Sequence, residues 1–229
     1  MKIINTIFSS FMLAISWWPL TSNAQAFINL GFESAVIKPI PDPSHVEWDA
    51  AMPGWSGYYG DLYTGVHQRT SLLYNTLNIG SPGIALLGPE SGYHIEGNYC
   101  LALQTGGADY ATDVYITQTG VIPNNANSLQ FIGSTARNGF AVSLNGQTIN
   151  MAVMKAFGSS YYLYGADVSG LAGQTVELRI TDITAFASPS LFIIDSFNFS
   201  PEAVPEPGTI ALLCLGSIGL FLAARRRAS

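Results

Sequence analysis

Charge is scarce in this chain of 229 residues, of which 10% are Asp, Glu, Lys or Arg. The basic residues are scarcer still where they would matter. Setting aside Lys2, Glu206, Arg225, Arg226 and Arg227, which lie in the terminal segments, leaves 5 basic and 14 acidic residues between Phe27 and Val204, a net charge of −9. Such a surface repels phosphate backbones and excludes nucleic acid as a partner. Cysteine is nearly absent. Of the 2 cysteines, Cys214 lies in an apolar tail, so Cys100 has no internal disulfide partner. No Lys or Arg lies within thirty residues of Cys100 to lower its pKa, and its strand-like surroundings, Tyr99 to Leu103, predict a buried, inert thiol.

The 3 histidines, His45, His67 and His94, form no metal-binding motif. No Gly-x-Ser-x-Gly elbow exists, since Gly88-Pro89-Glu90-Ser91-Gly92 has its serine one place late. The pairs Glu47/Asp49 and Glu90/Glu96 could imitate glycosidase carboxylates, yet loop acids arise by default in an acidic protein. A Ser/His/Asp set assembled in space would leave no sequence signature. The expectation is a chain that catalyses nothing.

The termini carry the clearest signals. Lys2 begins a mostly apolar run through Phe8, Phe11, Leu13, Ile15 and Trp18 that Pro19 breaks, and Ala24-Gln25-Ala26 places small residues at the −3 and −1 positions of a cleavage. Residues 1–26 therefore read as a signal peptide, removed by signal peptidase. A membrane anchor is the weaker alternative, because the run is short and interrupted by Asn5, Thr6, Ser9 and Ser10. At the other end, Pro205-Glu206-Pro207 precedes an uncharged stretch from Gly208 to Ala224 and then Arg225-Arg226-Arg227. As a helix, that stretch would be about 25 Å long, enough to cross the inner membrane with the arginines on the cytoplasmic side and the main domain outside.

Val204-Pro205-Glu206-Pro207, the run Leu212-Leu213-Cys214-Leu215-Gly216-Ser217-Ile218-Gly219-Leu220 and the closing arginines resemble a PEP-CTERM sorting signal, here residues 204–229. The resemblance implies an exosortase that cuts near Pro205, Glu206 and Pro207. The protein would then be released or transferred from the inner membrane to the cell surface or an exopolysaccharide matrix.

The interior, residues 27–203, reads as all-β. Phe140, Val142 and Leu144 alternate with Ala141 and Ser143, and Asn145-Gly146 offers a type I′ turn into Gln147–Met151. Val176, Leu178 and Ile180 alternate with Glu177, Arg179 and Thr181, the pattern of a half-buried strand. Short strands with Gly-rich turns predict one antiparallel β-sandwich. Asn29-Leu30-Gly31-Phe32-Glu33, Pro53-Gly54-Trp55, the segment Tyr164 to Leu178 and Ile194-Asp195-Ser196-Phe197-Asn198-Phe199, in that order, are similar to the galactose-binding-like jelly rolls of carbohydrate-binding modules. The segment from Asp61 to Gly97 carries none of that family's motifs.

In such modules the first and last strands adjoin and their acids often hold a structural calcium, which the resemblance carries onto Glu33 and Asp195. Period-two alternation would put Asp195 on one face with Leu191, Ile193, Phe197 and Phe199, where an acid is costly unless paired or metal-bound. Calcium takes six to eight oxygens, so loop carbonyls would complete the set; Arg179 or solvent are the other partners Asp195 could have. In the aromatic segment around Trp55, the residues Trp48, Asp49, Tyr58, Tyr59, Asp61 and Tyr63 are the expected glycan platform, since sugar C–H faces stack on aromatic rings while carboxylates take the hydroxyls. The opposing reading makes Trp55 a core anchor and the tyrosines cover for a sheet edge. The expected function is an exported, surface-sorted protein binding extracellular polysaccharide. The alternatives are a purely structural envelope component and a secreted hydrolase.

Overall fold

A computed structural model describes residues 25–205, apart from 62, 79, 94, 108–111 and 186–187. Residues 1–24 of the expected signal peptide and tail residues 206–229, with Glu206, Pro207, the apolar stretch 208–224 and Arg225, Arg226 and Arg227, lie outside the described residues. Among the described residues no helix is long and apolar enough to cross a membrane.

The strands form two sheets. The larger runs β1 (His45–Glu47), β4 (Ser71–Tyr74), β5 (Gly83–Leu87), β6 (Cys100–Gln104), β14 (Leu191–Ser200), β8 (Ser128–Ser134), β12 (Tyr161–Asp167), β11 (Ala152–Phe157). The smaller runs β10 (Gln147–Ile149), β9 (Phe140–Leu144), β13 (Thr175–Asp182), β7 (Val114–Val121), β2 (Ser56–Asp61), β3 (Gly65–Gln68). From β6 to β9 every connection passes to the opposite sheet, an arrangement that fits a jelly roll. One pair departs from the antiparallel expectation: β4 and β5 run parallel.

The alternating strands behave as their patterns require. In β13, Val176, Leu178 and Ile180 are buried while Glu177, Arg179 and Thr181 are half-exposed. Asn145 and Gly146 both take positive φ, 50° and 77°, and pair β9 with β10 through the expected turn. Between the sheets, Phe131 makes ring contacts with Phe140, Tyr164, Phe192 and Phe197. The segment Asp61–Gly97 supplies β3, β4 and β5. Through Leu77 and Ile95 it also covers a second apolar cluster, Leu73, Ala85, Leu87, Cys100, Ala102 and Ile193, on the outer face of the larger sheet.

β14 does not keep the single face expected of it. Ser196 takes a left-handed φ of 55°, and the register with β8 shifts between Asp195 and Asn198. This bulge adds a residue and exchanges the faces. Ile193 lies with the outer cluster, whereas Phe192, Ile194 and, past the bulge, Phe197 enter the inter-sheet core. Asp195 is therefore not set among Phe197 and Phe199.

Candidate functional site

The aromatic segment divides between core and surface. Trp48 sits in α1 (Trp48–Ala51), 2% exposed, with its indole N–H donating to the Trp55 carbonyl at 2.7 Å. Its ring occupies the space above Gly57, where a Cβ would collide with it. Trp55 is 3% exposed and donates to the Asn29 carbonyl at 3.0 Å. Neither tryptophan can stack on a sugar, and Trp48 in particular is a core residue rather than part of a platform. Their indole N–H groups bond backbone carbonyls, which makes their burial affordable.

The remaining members are scattered. Asp49 is exposed in the first turn of α1. Tyr59 packs against the core beneath the Arg69 guanidinium, 4.1 Å from its ring centroid. Asp61 ends β2 opposite Gly65, its side chain lying outside the description, and Tyr63 projects with 86% exposure from the turn between β2 and β3. Tyr58 alone lies on the outer face of the smaller sheet. It is opposite Tyr115 of β7, and the two rings stack with centroids 4.9 Å apart and planes 16° from parallel. The Arg179 guanidinium lies 4.1 Å from the Tyr115 centroid and its Nε is 3.7 Å from Glu177 Oε1. On the other side Tyr58 faces Gln68 of β3, whose amide donates to Ser56 Oγ at 3.4 Å. A row of amide, two rings and a guanidinium thus crosses four strands on one half-exposed face. Tyr115 and Gln68 escaped the sequence reading because they lie far apart in the chain, and only strand pairing joins them.

Glu33 and Asp195 do come together at one corner, with Glu96. The Glu33 carboxylate accepts the backbone N–H of Asn98 and of Tyr99, each at 2.9 Å for the nearer contact. Asp195, fully buried, accepts the N–H of Glu96 at 3.0 Å and of Ser196 at 2.6 Å, and the Ser196 hydroxyl donates to Glu96 at 2.7 Å. The Asp195 carboxyl stands at about 7: burial raises it most, its two N–H donors pull it down, and the charges of Glu33 and Glu96 raise it. A calcium site would turn oxygen lone pairs toward a common point. Here the oxygens of Glu33 and Asp195 accept N–H donors that hold both carboxylates in place without a metal, and each Asp195 oxygen keeps a further lone pair. Among the described residues no group of three or more His, Cys, Asp and Glu side chains is placed to hold a metal. Cys100, buried beside this corner, has its thiol pushed up to about 12, chiefly by burial, with smaller contributions from the Asp195 and Glu33 charges.

A Ser–His–Asp contact does form, in the turn before β1. Ser44 Oγ lies 3.0 Å from His45 Nδ1 and donates to Asp42 Oδ1 at 2.7 Å, while Asp42 Oδ2 lies 2.9 Å from the same Nδ1. A relay needs the hydroxyl and the carboxylate on opposite ring nitrogens. With both on Nδ1 and the hydroxyl given to the acid, the three residues brace a turn.

Against known proteins, no curated protein and no solved structure matches the chain. One family model does, the PEP-CTERM protein-sorting motif, over residues 203–227. The motif implies an exported protein, first held at the membrane and then processed by exosortase for sorting to the cell surface.

Proposed function

We propose that the chain is a non-catalytic protein of the cell surface or matrix that binds extracellular polysaccharide through the outer face of the smaller sheet. The observation carrying this reading is the row of Gln68, Tyr58, Tyr115 and Arg179 on that face. Aromatic rings offer apolar surface to sugar C–H groups, and the amide and guanidinium supply donors for hydroxyls. Weak single contacts suffice where many copies meet a long repeating polymer, because multivalency raises the overall avidity. The test is retention of the processed protein on the exopolysaccharide of an exosortase-bearing cell. Tyr58→Ala and Tyr115→Ala should each lose retention while melting cooperatively. Retention unchanged in both would refute the site.

A purely structural role is the second reading, favoured by the burial of Trp48 and Trp55, the largest aromatic surfaces of the segment. That reading expects no retention by the parent protein on any glycan offered.

A further inference from the structure

The chain leaving β14 toward the sorting motif is fastened to the sandwich. Asn127 Nδ2 donates to the Pro201 carbonyl at 2.6 Å, and Ser128 Oγ donates to the Glu202 carbonyl at 2.7 Å. The Glu202 N–H donates to Ser200 Oγ at 3.0 Å. Two residues on, Val204 is half-buried between exposed neighbours, and it lies over Gly165 of β12, where a Cβ would approach Val204 Cγ2 to 3.2 Å. Beside this contact a groove of about 570 Å³ runs between Ala203–Pro205 and a wall that includes Asn150, Asp167 and Ser169. The fastening thus reaches Val204, the residue before Pro205-Glu206-Pro207, and overlaps the matched motif, which begins at 203.

Chain length makes this consequential. From Val204 to Gly208 an extended chain covers at most about 14 Å. With the apolar stretch in the membrane, this end of the sandwich is held close against it, and little free chain lies on the domain side of the cutting region. Proteases work on chain that is exposed and free to move.

We propose that this end of the sandwich is the surface that meets the membrane-bound processing enzyme, with residues 201–204 latched onto it so that the latch must open before Pro205-Glu206-Pro207 is cut. The inference rests on the sorting reading of the tail. The enzyme breaks the bond; the domain sets how much chain is free to enter it. Opening is local, since it costs a few hydrogen bonds and one seated side chain, and cutting follows the open population when opening is fast.

The experiment is pulse-chase processing of the full chain in cells with and without exosortase. Asn127→Ala should speed conversion by roughly two- to tenfold, the worth of one hydrogen bond. Insertion of Gly-Ser-Gly-Ser between Glu202 and Ala203 adds slack, leaves the motif intact and should speed it at least as much. Wild-type melting of both processed products shows that the sandwich is undisturbed. Rates equal to or below the parent's in both variants would overturn the latch. A parent chain that exosortase leaves uncut would overturn the sorting reading, and this inference with it.

Discussion

Asp182 and Asp195 are both fully buried acids whose carboxyls stand at about 7, and they reach that state differently. Asp195 is held by two N–H donors, whereas neither oxygen of Asp182 has a hydrogen-bond partner; Ser190 and Thr105 lie near enough to pull its carboxyl back only partway. In the unfolded chain both would ionise near the ordinary aspartate value of 3.8, so between about pH 4 and 7 the folded state holds protons that the unfolded state has lost. Stability therefore falls as pH rises through that window and levels off above it. Urea unfolding should give a higher midpoint at pH 5 than at pH 8. Asp42 and Asp167, held below the usual carboxylate range mainly by hydrogen bonds from Ser44 and Ser169, act in the opposite sense once the pH drops below about 4. Substitution separates the two buried acids. At pH 8, Asp182→Asn removes an unpaired buried charge and should stabilise by on the order of 1–3 kcal/mol. Asp195→Asn sets an NH₂ against a backbone N–H and should destabilise by a similar amount, about 1–3 kcal/mol.

At the scale of single elements, β14 depends on Ser196, since left-handed backbone suits glycine and penalises branched side chains. Ser196→Val should cost about 1–3 kcal/mol in thermal or urea unfolding, with Ser196→Gly close to neutral in backbone terms. β2 depends on Gly57 in another way. Gly57→Ala collides with the Trp48 ring and should cost roughly 1–3 kcal/mol or prevent cooperative unfolding. These elements also mark how far the sequence could be read. The alternation of β13 and the Asn145-Gly146 turn were legible, because period and turn chemistry are local. β5, a continuous buried Gly-Ile-Ala-Leu-Leu, offered no alternation, and the left-handed Ser196 carries no residue signature that separates it from ordinary strand. The aromatic segment was legible only in part for the same reason. Composition gathered aromatic residues by position in the chain, while the sheet sorts them by face, sending Trp48 inward and joining Tyr58 to Tyr115 across strands far apart in sequence.

At the scale of the whole molecule, the carboxylate corner at Glu33, Glu96 and Asp195 ties the first loop of the domain to the bulge of β14 through hydrogen bonds. A chelator such as EDTA should leave the melting temperature of the processed protein unchanged; a fall of several degrees would restore calcium to that corner. The sheet order has a consequence for the timing of export. β14 is the last strand among the described residues, yet it lies between β6 and β8, in the interior of the larger sheet. Until Ser200 has emerged, that sheet is two unjoined halves with open edges, and Asp195 has nothing to fasten. A chain threaded outward from its N-terminus thus cannot complete its larger sheet until almost the whole domain has passed, just before the sorting tail arrives.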